Sequence, residues 1–119
     1  MKRIITLVAA LAVAATTFAV VAYGSSSRAS ATTVKVTAKD TFRFVLTRKS
    51  APHGKVTFKV TNKGRLRHDF KIAGKKTKLL GHNKTATLTV TLKKGKKYMY
   101  LCTVPGHAAA GMKGTFKAT

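Results

Sequence analysis

Cys102-Thr-Val-Pro-Gly-His107-Ala-Ala-Ala-Gly-Met112 brings a thiol, an imidazole and a thioether within eleven residues, spaced C-x4-H-x4-M around a Pro-Gly turn. Cys102 is the only cysteine of the chain, His107 one of four histidines and Met112 one of three methionines. Soft and borderline donors of this kind suit copper far better than magnesium or calcium, which take hard oxygen ligands. The set lacks a second imidazole. His68 supplies one, at the head of the apolar-alternating segment His68-Asp-Phe-Lys-Ile72.

The elements that must position these donors read as strands. From Val34 onward the sequence alternates with period two, the pattern of a sheet with one face in a core. Val34, Val36 and Ala38 share a face, then Phe42, Phe44 and Leu46, then Val56, Phe58 and Val60. His68, Phe70 and Ile72 continue it, with the histidine on the apolar side. Ala86, Leu88, Val90 and Leu92 alternate with threonines, Tyr98, Tyr100 and Cys102 share a face opposite Met99 and Leu101, and Lys113 to Ala118 gives a last short strand. Met99 reads as core. Turns at Ser50-Ala-Pro-His-Gly54, Asn62-Lys-Gly64 and Lys93-Lys-Gly95 separate the runs. No helical period and no repeat appear. The expected architecture is all-β, a Greek-key β-sandwich of seven to eight strands. His68 opens its strand while Cys102 closes its own. If the two strands are antiparallel neighbours, both residues meet at one pole, from which the loop bearing His107 and Met112 also leaves.

Residues 1–31 read as an export element and linker. Lys2 and Arg3 precede an apolar run from Ile4 to Tyr23, followed by small polar residues and Ala29-Ser-Ala31, the order of a secretory signal. The run over 4–23 is also long enough to span a bilayer, so an uncleaved membrane anchor is the alternative. In both cases residues 32–119 form one domain outside the cytoplasm: periplasmic, on the cell surface, secreted or tethered. A domain of roughly 88 residues buries a little over ~60% of its unfolded surface, and a lone cysteine gives it no internal disulfide. A bound metal would both protect the thiolate and support the fold.

The chain carries 24 Lys and Arg against two acidic residues. With Lys2, Arg3 and Arg28 in the leader, 21 remain beside Asp40 and Asp69, a net charge near +19 for residues 32–119. Such a field governs partners and association rates rather than fold. It serves solubility as a lysine coat, or docking to acidic redox proteins or to an anionic membrane or wall surface. Export, the absence of a nucleic-acid motif and the even scatter of lysines argue against nucleic acid. A monomer is expected.

From Tyr98-Met-Tyr-Leu-Cys-Thr-Val-Pro-Gly-His107, with Met112 after it and His68-Asp-Phe70 upstream, the chain resembles the cupredoxins, the blue-copper family of azurin, plastocyanin and auracyanin. The resemblance implies a single type 1 copper, with His68, Cys102 and His107 as equatorial ligands and Met112 as the weak axial one. It implies a one-electron carrier and no enzymatic activity, since four protein ligands leave no place for a substrate. One cysteine excludes the binuclear centre and the disulfide-bearing phytocyanin branch, and one domain excludes the multicopper oxidases. Asp69 stands where the family often has Asn tying the ligand loops together. It could accept a hydrogen bond near Thr103, and its charge would favour oxidised copper. Val104, Pro105 and Ala108 to Ala110 would form an apolar docking patch around His107.

Other chemistries fit less well. Structural zinc prefers four strong ligands and methionine is a poor one. A Cys–His nucleophile would need an orienting group and a substrate pocket. A copper-binding or storage protein without electron transfer is the alternative function, and a cationic adhesion domain merely stapled by metal is a third. His53 and His82 read as solvated turn residues.

Overall fold

The computed structural model describes residues 31–119, so the export element or anchor expected over 1–31 lies almost wholly outside the described residues. Nine strands follow in order: β1 (Thr32–Lys39), β2 (Arg43–Leu46), β3 (Ser50–Ala51), β4 (Gly54–Asn62), β5 (Lys71–Ile72), β6 (Lys75–Lys76), β7 (Thr85–Leu92), β8 (Lys97–Leu101) and β9 (Lys113–Ala118). No helix occurs among the described residues. The strands form two sheets, β2-β1-β4-β7 and β3-β9-β8-β5-β6. The all-β sandwich expected from the alternation is therefore present. The count reaches nine because β3, β5 and β6 are only two residues long.

The period-two pattern explains the core. Val34 and Val36 of β1, Val56, Phe58 and Val60 of β4, and Leu88, Val90 and Leu92 of β7 are buried on one side of the first sheet. The intervening Lys and Thr face water, as a half-buried strand requires. On that outer face the hydroxyls of Thr57 and Thr89 pair at 3.1 Å and those of Thr61 and Thr85 at 2.9 Å, each across a register position of β4 and β7. The second sheet contributes Ile72, Tyr100, Phe116 and Ala118. Between the layers, Phe70 is the hub of an aromatic cluster. It stacks on Tyr100 at 5.5 Å and meets Phe44 edge-on at 5.2 Å and Phe58 at 5.3 Å.

Two sequence expectations fail here for physical reasons. Met99 is 62% exposed, not core. A two-layer sandwich has one inner face per sheet, and on β8 that face is taken by Tyr100. Phe42 does not start β2. It sits in the preceding turn with φ +56°, donates its N–H to the Lys39 carbonyl at 3.2 Å, and leaves the strand face.

Two register relations place the donors. β5 joins β8 antiparallel with Lys71 opposite Leu101. β8 and β9 form a hairpin from Lys97↔Lys117 to Leu101↔Lys113, and Cys102 N–H continues the ladder to the Met112 carbonyl at 3.1 Å. The His68 segment forms less strand than expected: His68 makes only an isolated bridge to Leu80, and regular pairing begins at Lys71.

Gly114 lies opposite Tyr100 in this hairpin, and a Cβ there would fall 2.2 Å from the Tyr100 hydroxyl oxygen and 2.4 Å from its ring carbon. Gly114→Ala must therefore push Tyr100 off Phe70. We expect it to lower unfolding free energy by about 1–3 kcal/mol, the usual range for overpacking, as read by denaturant titration.

Candidate metal centre

Residues from two chain segments converge at one end of the sandwich. With Lys71 opposite Leu101, extending the antiparallel register sets Asp69 level with Thr103, one residue beyond Cys102. The carboxylate of Asp69 accepts the Thr103 N–H at Oδ1, 2.6 Å, and the Thr103 hydroxyl at Oδ2. This clamp was expected near Thr103, and it fixes the His68 segment against the start of the 102–112 loop. The loop is itself held by local backbone bonds, His107 N–H to Val104 and Met112 N–H to His107 among them. Gly106, at φ +83°, takes the left-handed conformation that follows Pro105 in the turn.

The expected donors meet. One nitrogen or sulfur each from His68, Cys102 and His107 lies within 4.8 Å of the others. His68 Nδ1 is 3.1 Å from His107 Nδ1, and Cys102 Sγ is 3.6 Å from the same nitrogen. The centre of such a triangle lies roughly 2 to 2.5 Å from each corner, the length of imidazole and thiolate bonds to a first-row metal. So the residues fit a metal ion without rearrangement of the backbone. His68 and Cys102 are buried, while His107 keeps an edge to solvent.

Met112 is fully buried in a small apolar cluster with Cys102 and Ala38, lined further by Phe42, Phe44 and Val104. The cluster makes the sulfur side of the site dry. Phe42 meets the His107 ring edge-on at 5.1 Å. Outside, the Arg43 guanidinium donates to the Gly111 carbonyl at 3.1 Å, across the residue before Met112. His53 and His82 stand apart and exposed, at the Thr119 and Gly64 carbonyls respectively, as expected of turn residues.

One residue was not anticipated at the site. Asp40, in the turn after β1, accepts a hydrogen bond from His68 Nε2 at 3.0 Å. Its signal in the sequence was only its rarity, as one of two acids in a strongly basic domain. The N–H of Arg65, then His68, hold the Asp40 carboxyl below the usual carboxylate range.

Burial also sets the proton inventory. Desolvation pushes the Cys102 thiol up, against the backbone N–H groups of Asp69 and Val104, which favour thiolate. Desolvation, then the nearby His68, pulls His107 down. Metal-free, the site thus holds a thiol and neutral imidazole at neutral pH.

The profile of copper-binding proteins of the plastocyanin/azurin family matches residues 21–119. The chain belongs to that family. It is a cupredoxin, and copper is its metal. Among solved structures, auracyanin from the photosynthetic bacterium Roseiflexus castenholzii superposes with a TM-score of 0.66 at 22% identity, over 75% of this chain and 98% of that one. Auracyanin A, a "blue" copper protein of the green thermophilic photosynthetic bacterium Chloroflexus aurantiacus, gives 0.61 at 20% identity, over 73% and 98%. An azurin from the obligate methylotroph Methylomonas sp. strain J gives 0.60 at 19%, over 74% and 98%. No curated protein sequence matches the chain. At these identities the structures establish the cupredoxin fold.

The two shifted groups of the donor set, His107 and Cys102, predict how this cupredoxin responds to pH without metal. The lowered His107 contributes stability that is present above the free imidazole value of about 6.5 and is lost as pH falls. The raised Cys102 contributes stability that is present below the free thiol value of about 8.5 and is lost as pH rises through its folded value. Unfolding free energy of the metal-free protein should therefore decline on both flanks. Burial raises the Tyr100 hydroxyl as well, so Cys102→Ser should remove the first part of the alkaline decline and leave the part above the free tyrosine value of about 10, with the acid flank unchanged, as checked by urea titrations across pH.

Proposed function

We propose that the protein is a mononuclear type 1 copper protein that carries single electrons outside the cytoplasm. The observation that carries this reading is the triangle of two Nδ1 atoms and the Cys102 sulfur, with a buried methionine beside the sulfur. In this reading His68, Cys102 and His107 would hold the copper as strong ligands and Met112 as a weak one. Copper supplies the one-electron couple when bound. The chain supplies a fixed donor geometry that suits neither oxidation state fully, so little needs to move when an electron passes. Asp69 fastens the two ligand-bearing segments to each other, and its charge close to the site favours the oxidised form. The apolar cluster around the sulfurs excludes water, one of the levers on potential. With four protein ligands filling the site, no activity as an enzyme is assigned.

Electrons would pass by the exposed edge of His107, framed by Val104, Pro105 and Ala108 to Ala110. The cationic surface is suited to acidic redox proteins. Asp40 and Asp69 are both engaged at the metal end, so the lysines elsewhere have no carboxylate side chain to pair with. On the outer face of the first sheet, Lys35 and Lys59 stand opposite each other in the β1–β4 register, and with Lys63 they line a shallow groove of about 350 Å³. Like charges placed so repel, and an anionic membrane or wall surface would relieve them. The apolar run 4–23 is the export signal or tether that would place the domain there. No helix among the described residues is long and apolar enough to cross a membrane.

The test is a Cu(II) titration of the purified protein, followed in the visible spectrum. One equivalent should give an intense blue band. Cys102→Ser should abolish it, and Met112→Leu should shift it and raise the potential while leaving one copper bound. A colourless complex, or a band that survives loss of Cys102, would contradict the reading. A protein that takes only Cu(I) and oxidises slowly would be a storage protein instead.

A further inference from the structure

The ring of His68 has two edges, and both are occupied. Nδ1 faces His107 and Cys102, while Nε2 on the far side meets Asp40 Oδ1 at 3.0 Å. The carboxylate is not free to wander. Oδ2 accepts the Arg65 N–H at 2.7 Å and Oδ1 the Leu66 N–H at 3.1 Å. The chain makes room for it with Gly64, where a Cβ would fall 2.0 Å from Asp40 Oδ1. Asn62 braces the other side of this cradle, accepting the Gly64 N–H and donating to the Leu66 and Leu80 carbonyls. Leu80 in turn exchanges backbone bonds with His68. Asp40, the cradle and the imidazole are thus one connected unit.

A neutral acceptor would orient the ring as well as a carboxylate does. What a carboxylate adds is charge, and here it lies directly behind a ring that points at the donor triangle. A charged acceptor on the far nitrogen makes the near nitrogen a stronger donor, and it fixes which nitrogen carries the proton. We infer that Asp40 is a positioning residue for copper: it holds His68 with the proton on Nε2 and Nδ1 open to the metal, and its charge biases the site toward Cu(II). The inference rests on the assignment of His68 as a ligand.

Two measurements test it on the full chain. In the metal-free protein, long-range nitrogen–proton NMR of the imidazoles should show His68 protonated at Nε2, and Asp40→Ala should mix the tautomers. In the copper-loaded protein, Asp40→Asn should weaken Cu(II) binding by roughly 10–100-fold and Cu(I) binding less. Each tenfold difference between the two raises the potential by about 59 mV. His68 protonated at Nδ1 in the wild-type protein would overturn the inference without any variant. So would an Asp40→Asn protein whose thermal midpoint drops while its potential stays put, for then Asp40 merely pins the 62–68 loop. A blue band that survives His68→Ala would instead remove the ligand assignment on which the inference stands.

Discussion

One ladder position, Lys71 opposite Leu101, sets where the two halves of the donor set meet. β5 is only two residues long, so little regular pairing locks it, and the register is completed beyond the strand by the Asp69 carboxylate on Thr103. A slip of one residue would turn Phe70 out of the core and carry His68 away from Cys102, because side chains alternate between the faces. The aromatic packing of Phe70 on Tyr100, Phe44 and Phe58 opposes such a slip. The same cluster that stabilises the sandwich therefore holds the metal site in register.

Charge is distributed with a comparable economy. Of the 23 charged side chains from residue 32 onward, the two carboxylates both stand at the donor end, one clamping Thr103 and one behind His68. They answer a local need, since the buried His68 ring and a metal cation beside the apolar Cys102–Met112 cluster get little compensation from solvent. The rest of the surface is left cationic, and the consequence is felt outward, in the choice of partner and the speed of encounter. Buried at the sulfur side and open at the His107 edge, the site has one face for holding the metal and another for meeting a partner.

Much of this was legible in the sequence, for local reasons. Cys102, His107 and Met112 lie on one loop, so their spacing alone brings them close, and the period-two runs state which residues face inward. His68 could be picked out because an imidazole on an apolar face needs a partner. What escaped depends on long-range placement. Asp40 reaches His68 across 28 residues only because β1 runs parallel to β4, and Phe42 reaches His107 only because the turn adopts positive φ. Neither fact leaves a local period. Met99 misled because alternation says that two faces differ, not that the second one is covered.

The account turns on a donor set that is held rather than adjusted. X-ray absorption at the copper edge, recorded on the protein in both oxidation states, measures this directly. It should find two nitrogens and one sulfur at roughly 2.0 to 2.3 Å in each state, with nearly the same distances. A ligand gained or lost between Cu(I) and Cu(II) would show that the site rearranges with each electron, and the protein would not be built as a carrier.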